Sequence, residues 1–260
     1  MDFKNLLFEV AGGVATLTIH RPDKLNALNA ATLTEMEQAF EHCRVSAEVR
    51  ALVVTGSGEK AFVAGADIKE LATMTPLTAK DLAYRGQRIL ARLEDMGKPS
   101  VAMINGFALG GGLELALACT LRTAANTARL GLPEVSLGII PGYGGTQRLS
   151  RVAGPGVARE WILTGEPFSA EEAWRVGVVN RVFPAAELRA GTMKLVETIL
   201  SRGPVAVRFA LEAIHRGTNM HQREGEKLEC DLFGLAAATD DMKEGMGAFL
   251  EKRKPAFHGK

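Results

Sequence analysis

Three cysteines in 260 residues, with no C-x-x-C pair among them, leave neither a disulfide framework nor a thiol-ligated metal site to build on. Cys43, Cys119 and Cys230 are expected to be reduced thiols, which fits a cytoplasmic protein, and Cys119 lies in an apolar run that reads as core. Neither sign of charge is in excess: 31 Lys and Arg against 30 Asp and Glu give a formal net charge of +1. The basic surplus of a general nucleic-acid binder or a membrane-surface protein is therefore missing, and no nucleic-acid or membrane partner is expected. The longest apolar stretch, 101–121, is broken by Asn105, four glycines and Glu114, so it is not a membrane span. The N-terminal MDFKNLLFEVAGG lacks the basic and apolar segments of a leader and the Arg/Ser-rich character of a transit peptide.

Familiar catalytic signatures are missing too. There is no G-x-G-x-x-G dinucleotide fingerprint, no G-x-x-x-x-G-K phosphate loop and no G-x-S-x-G nucleophile elbow. His20, His42, His215, His221 and His258 show no metal-ligand spacing, and no cysteine lies in a nucleophile context. No metal and no redox cofactor are expected.

What is present is concentrated in residues 100–147. Glu114 is the only charged side chain between Ser100 and Leu121, and Glu134 the only one between Leu130 and Gln147. Both sit in apolar, glycine-rich runs of the kind that fold as core. A buried, unpaired carboxylate is costly and raises its pKa rather than stay ionised. Acid/base chemistry is the commonest reason for such a placement. For Glu114 the alternative is a carboxylate that only complements the positive end of its helix, and for Glu134 a turn-exposed Glu after Pro133.

The surrounding pattern predicts an α/β fold. Runs at 6–10 and 14–19, separated by Ala11-Gly12-Gly13, read as a hairpin. Asn29 is placed to cap a helix over 31–44 with Leu33, Met36 and Phe40 on one face. Residues 50–56 and 100–105 read as strands, LRTAAN and ARLGL as short ones, and 67–71, 78–96 and GGGLELALAC as helices. Residues 57–66 read as a glycine-punctuated loop. This repeat of strand, glycine loop, helix and strand predicts crossover connections and a buried, mainly parallel sheet. After Gly145 helices are expected at 145–152, 156–163, 170–176, 186–201, 204–216 and 220–250, with one strand at 178–183. Ser169 and Glu172 form a capping-box pattern. The division is a core over 1–195 and a helical region over 196–260 that packs against other subunits.

Two glycine loops precede helices: Ala64-Gly65-Ala66-Asp67 and Gly110-Gly111-Gly112. Three consecutive glycines weaken a helix with no evident packing gain, and they make sense if backbone N–H groups must approach a ligand. One donor from each loop could form an oxyanion hole for a carbonyl that becomes an enolate.

Taken together, HRPDKLNALN, AFVAGADIKEL, INGFALGGGLELALAC, LPEVSLGIIPGYGGTQRL, GEPFSAEEAWRVGVVNRV and EGMGAFLEKRKPAF resemble the crotonase (enoyl-CoA hydratase/isomerase) superfamily over essentially the whole chain. The resemblance implies a spiral of β-β-α units with a helical C-terminal trimerisation region, assembled as a trimer or as a hexamer made of two trimers. It implies that the N–H groups of Ala66 and Gly111 form the oxyanion hole and that Glu114 and Glu134 are the catalytic carboxylates. The implied reaction adds water to the 2,3 double bond of a short- or medium-chain enoyl-CoA thioester, with coenzyme A as part of the substrate. Lys24, Leu25, Ala64, Ala66, Asp67, Ile68, Lys69, Gly111 and Gly142 match segments that surround CoA or substrate, and Phe249 and Lys252 match residues that touch CoA bound by a neighbouring subunit. Leu132 stands where related hydratases often carry glutamine. Tyr143 stands where the P-G-x-G-G loop is often small. Both departures bear on the acyl chain. An isomerase or a specialised hydratase is the alternative within the superfamily. An RNA-binding relative, with Arg85, Arg88, Arg92 and Lys98 as its footprint, is the alternative outside catalysis.

Overall fold

The first strands, β1 (Leu6–Ala11) and β2 (Val14–Ile19), pair antiparallel around Gly12 and Gly13, both in the left-handed region that a two-residue hairpin turn demands. The computed structural model describes the whole chain, Met1–Lys260. Helix α1 (Ala30–Val45) starts where Asn29 Oδ1 accepts from Thr32 N at 2.8 Å, and it buries Leu33, Met36 and Phe40 as its periodicity predicts. The chain continues through β3 (Ala51–Gly56), β4 (Ala61–Val63), α2 (Ile68–Leu71), α3 (Pro76–Glu94), β5 (Ser100–Ile104), β6 (Phe107–Leu109), α4 (Gly111–Ala118), β7 (Leu121–Ala125) and β8 (Arg129–Gly131). A 3-10 turn over Pro133–Leu137 leads to α5 (Gly145–Thr164), β9 (Phe168–Ser169), α6 (Ala170–Arg175), β10 (Arg181–Phe183) and α7 (Leu188–Leu200). Helices α8 (Pro204–Gly217), α9 (Gln222–Ala237) and α10 (Asp240–Leu250) complete it.

The strands form two sheets. The larger has the order β1-β2-β3-β5-β7-β10 and is parallel except for β1, and the smaller has the order β4-β6-β8-β9 with β4, β6 and β8 parallel. The pairs β3–β4, β5–β6 and β7–β8 each send their first strand to the larger sheet and their second to the smaller, then a helix or 3-10 turn follows. That is the β-β-α spiral the resemblance implies. Asn105 fixes one corner of it. Its Nδ2 donates to the carbonyls of Gly56 (3.0 Å) and Gly58 (2.7 Å), and its Oδ1 accepts from Gly56 N (3.2 Å). Phe40, Phe62, Ile19, Leu52 and Ile104 belong to one continuous buried cluster.

Several expectations are corrected. Strand β4 falls inside the stretch read as a glycine loop and β6 in residues left unassigned, because three residues are too few for alternation to register. The strand at 178–183 shortens to β10, with Val178 and Val179 buried ahead of it. The helix at 220–250 is two helices: Thr239 Oγ1 accepts from Met242 N at 3.1 Å and caps α10. At Ser169 only half of the capping box forms, since Glu172 turns its carboxylate to Arg175. The break read near residue 154 is real, with Gly154 at φ +83° before Pro155.

The chain divides into two compact units, Met1–Met96 with Ser100–Thr192, and Gly97–Pro99 with Met193–Lys260, so a boundary falls inside α7. In the second unit, Asp241 accepts from His258 N (2.6 Å) and Gly259 N (2.8 Å) and ties the C-terminal residues to α10. Phe233, Phe249 and Leu250 of this unit are exposed. No helix is long and apolar enough to cross a membrane.

Candidate active site

The parallel strands β4, β6 and β8 end at the same edge of the smaller sheet, and each runs into one of the segments singled out in the sequence. After β4 comes Ala64–Asp67, after β6 Gly110–Gly112, and after β8 Leu132–Glu134. The carboxyl edge of a parallel sheet is where ligands bind in α/β folds. A cavity of about 820 Å³ opens here, walled by these loops, by α2 and α3, and by the loop 137–143.

Neither Ala66 N nor Gly111 N donates to another group of the protein. Gly111 is the first residue of α4, so its N–H is one of the orphan donors at a positive helix end. A Cβ built on Gly111 would stand 3.7 Å from Ala66 N, so the backbones of the two loops approach each other closely here. The three glycines divide the work. Gly110 adopts φ +52°, ψ −125°, a backbone that other residues avoid. Gly112, contrary to the reading that the triplet serves no packing, lies against β4: its Cβ would stand 2.0 Å from the Val63 carbonyl oxygen.

Glu114, in the first turn of α4, is buried. Its Oε1 accepts from Tyr143 N (2.8 Å) and Gly145 N (2.7 Å). Burial pushes its pKa up to about 7, the Glu134 charge adds to the rise, and the Gly145 and Tyr143 N–H groups oppose it. The side chain of Leu132, fully buried, packs beside the same Gly145 backbone that Glu114 touches but is not on the cavity wall, so the departure at this position does not reach the acyl pocket directly. Glu134 is held by the 3-10 turn, and burial pushes it up to about 7 as well. Its Oε2 has no hydrogen-bond partner, and it is the only buried side-chain polar atom of which that is true. Both carboxylates line the cavity.

The loop that holds Glu114 is itself anchored. Arg148 pairs with Glu94 through Nε (2.8 Å) and Nη2 (2.5 Å), while its Nη1 donates to the Tyr143 carbonyl at 2.6 Å. Arg148 and Asn105 were not singled out in the sequence; the long-range pairings that give them their roles leave no local signal.

Of the other candidates, Ala64, Ile68 and Gly142 line the cavity, and the Leu25 carbonyl accepts from Ala64 N at 3.1 Å. Lys24, Asp67 and Lys69 are not on the cavity wall. Lys24 ends a 3-10 turn and Lys69 is exposed on α2. Asp67 caps α2 and pairs with Arg21 at 3.0 Å, which holds its carboxyl below the usual range. Phe249 and Lys252 belong to the second unit, Lys252 in a left-handed turn after α10. The arginines of α3 are engaged locally: Arg85 with Ala30 O and Thr34, Arg92 with Glu37 and Glu41, Arg88 over the Tyr84 ring.

A family model described as enoyl-CoA hydratase/isomerase matches residues 9–260. The chain belongs to the enoyl-CoA hydratase/isomerase family. Two curated members of that family are similar over their full lengths. Short-chain-enoyl-CoA hydratase of Clostridium acetobutylicum is 44% identical over 98% of this chain and 97% of that protein. Crotonyl-CoA hydratase of Syntrophomonas wolfei is 45% identical over 100% of each. Among solved structures, an enoyl-CoA hydratase from Bacillus anthracis superposes with a TM-score of 0.95 at 40% identity, covering 99% of this chain and 100% of that one. In this enoyl-CoA hydratase/isomerase chain the site offers two kinds of chemistry: N–H donors for a carbonyl oxygen that gains charge, and two carboxylates able to exchange protons near neutrality.

Proposed function

We propose that the protein is an enoyl-CoA hydratase acting on short-chain 2-enoyl-CoA thioesters. One observation carries this reading: two buried carboxylates, both pushed up to about 7, share a cavity edge with two unpartnered backbone donors. The thioester carbonyl accepts from Ala66 N and Gly111 N. Ionised Glu114 takes a proton from water, whose oxygen bonds to carbon 3. The double-bond electrons move into the thioester as an enolate, which the two N–H groups stabilise; each donor contributes roughly 2.7–4 kcal/mol to the transition state. Protonated Glu134 then delivers its proton to carbon 2. The net change is one water added, with the two carboxyls exchanging protonation states until solvent resets them. The names of the two bacterial relatives, short-chain-enoyl-CoA and crotonyl-CoA hydratase, support both reaction and chain length.

The same reading includes coenzyme A as a part of the substrate, with no further cofactor. It places Lys69 at a CoA phosphate or the adenine edge, where an ammonium acts as a point charge, and Lys24 in a segment that surrounds CoA. It also assigns the exposed apolar residues of α9 and α10 to contacts in a trimer, or a hexamer of two trimers, in the cytoplasm, with Phe249 and Lys252 reaching a neighbour's CoA. The test is incubation with crotonyl-CoA: loss of enoyl-thioester absorbance and appearance of 3-hydroxybutyryl-CoA are expected. Migration of the double bond in longer enoyl-CoA without hydration would assign an isomerase instead.

A further inference from the structure

Tyr143 brings a buried aromatic ring to the cavity wall, and two glycines on other elements make room for it. One ring edge lies against Gly86 in α3: a Cβ built there would stand 2.2 Å from Cδ1 and 2.5 Å from Cε1. The opposite edge faces Gly111, whose Cβ would stand 3.3 Å from Cδ2 and Cε2. Glycine inside a long helix weakens it relative to alanine, so Gly86 needs a reason, and the ring supplies one. Ala79, Ala83 and Gly86 share one face of α3 at helical spacing. A Cβ on Gly142 would come within 3.6 Å of Ala83 Cβ, so small residues let the whole loop press in.

We propose that the Tyr143 ring, seated on Gly86, is the floor of the acyl pocket and sets its chain length. The proposal rests on the hydratase reading for the direction of the substrate. With the carbonyl on Gly111 N and carbon 3 beside Glu114, whose carboxylate is bonded by Tyr143 N, the acyl carbons beyond carbon 3 run onto the ring. Gly86 is the second half of the device, because any larger residue there drives the ring into the cavity.

The test is the kcat/KM ratio for eight-carbon over four-carbon enoyl-CoA, together with the Kd ratio for the corresponding saturated acyl-CoA thioesters. In Tyr143→Ala both ratios rise at least ten-fold, since each further buried methylene is worth about four-fold. Tyr143→Leu gives a smaller rise and serves if the alanine variant fails to fold, and Tyr143→Phe keeps the wild-type ratio. Gly86→Ala lowers four-carbon turnover, and adding Tyr143→Ala to it restores turnover, a non-additivity expected only of residues in contact. Ratios within two-fold of wild type in folded Tyr143→Ala and Tyr143→Leu overturn the proposal. A wild-type protein inactive on every enoyl-CoA, but whose Kd ratio shifts as stated, overturns the hydratase reading and leaves the floor standing.

Discussion

Glu114→Gln replaces a buried carboxylate with an amide of the same shape, and its effect on stability follows from the site. The glutamine carbonyl keeps both acceptor bonds, to Tyr143 N and Gly145 N. Only the charge is lost. In the fold, burial and Glu134 keep the Glu114 proton up to about pH 7, whereas its usual pKa, expected in the unfolded chain, is 4.5. A raised folded-state pKa contributes stability that is fully present below 4.5 and lost as the pH rises through 7. For a group so fully buried the loss is on the order of 3 kcal/mol above pH 7. Glutamine titrates in neither state and loses nothing. The variant should therefore match wild type in urea unfolding near pH 4.5 and exceed it by about 2–3 kcal/mol at pH 8, measured at one protein concentration because assembly adds to stability. A variant no more stable than wild type at pH 8, or destabilised equally at both pH values, would refute the claim that this carboxylate is held against its preference for ionisation.

The hydration rate should follow a bell in pH whose two limbs lie on either side of about 7. Acid protonates the base and alkali strips the acid, and the apparent values belong to the pair; a flat profile of kcat/KM from pH 5 to 9 would contradict the shared-proton site. Gly112→Ala forces a Cβ onto the Val63 carbonyl. It should cost about 1–3 kcal/mol in chemical denaturation and lower kcat by moving the Gly111 donor. Arg148→Met leaves Glu94 unpaired and frees the Tyr143 carbonyl. It should lower kcat roughly ten- to a hundred-fold through misplacement of the loop that holds Glu114, with a smaller change in Kd for a saturated acyl-CoA.

Much of the site was legible in the sequence because its chemistry contradicts its surroundings. Glu114 and Glu134 stand out as single charges in apolar runs, and the structure buries both. The hairpin, α1 and β3 are local patterns with local causes: a glycine turn, an asparagine cap, an unbroken apolar run. Of the second sheet only β8 was legible, as the short strand read in ARLGL. AFV and FAL become strands through pairing partners far along the chain, and no three-residue pattern announces that. Gly112 likewise looks like its neighbours until Val63 is placed against it. Arg122 is a further case: the guanidinium is buried, donating to Val178 O and Cys119 O, a partnership of carbonyls that leaves no charge pattern to read. Leu132 and Tyr143 were visible as departures, but what they do depends on Glu114 and Gly86 being folded beside them.

The most direct test of the two-carboxylate account is the rate of crotonyl-CoA hydration by wild type, Glu114→Gln and Glu134→Gln, each shown to be folded. If water is added between a base and an acid, the wild type is active and each variant falls by about two to four orders of magnitude. If either variant stays within ten-fold of wild type, that glutamate is not moving a proton in the reaction, and the account of the site is wrong.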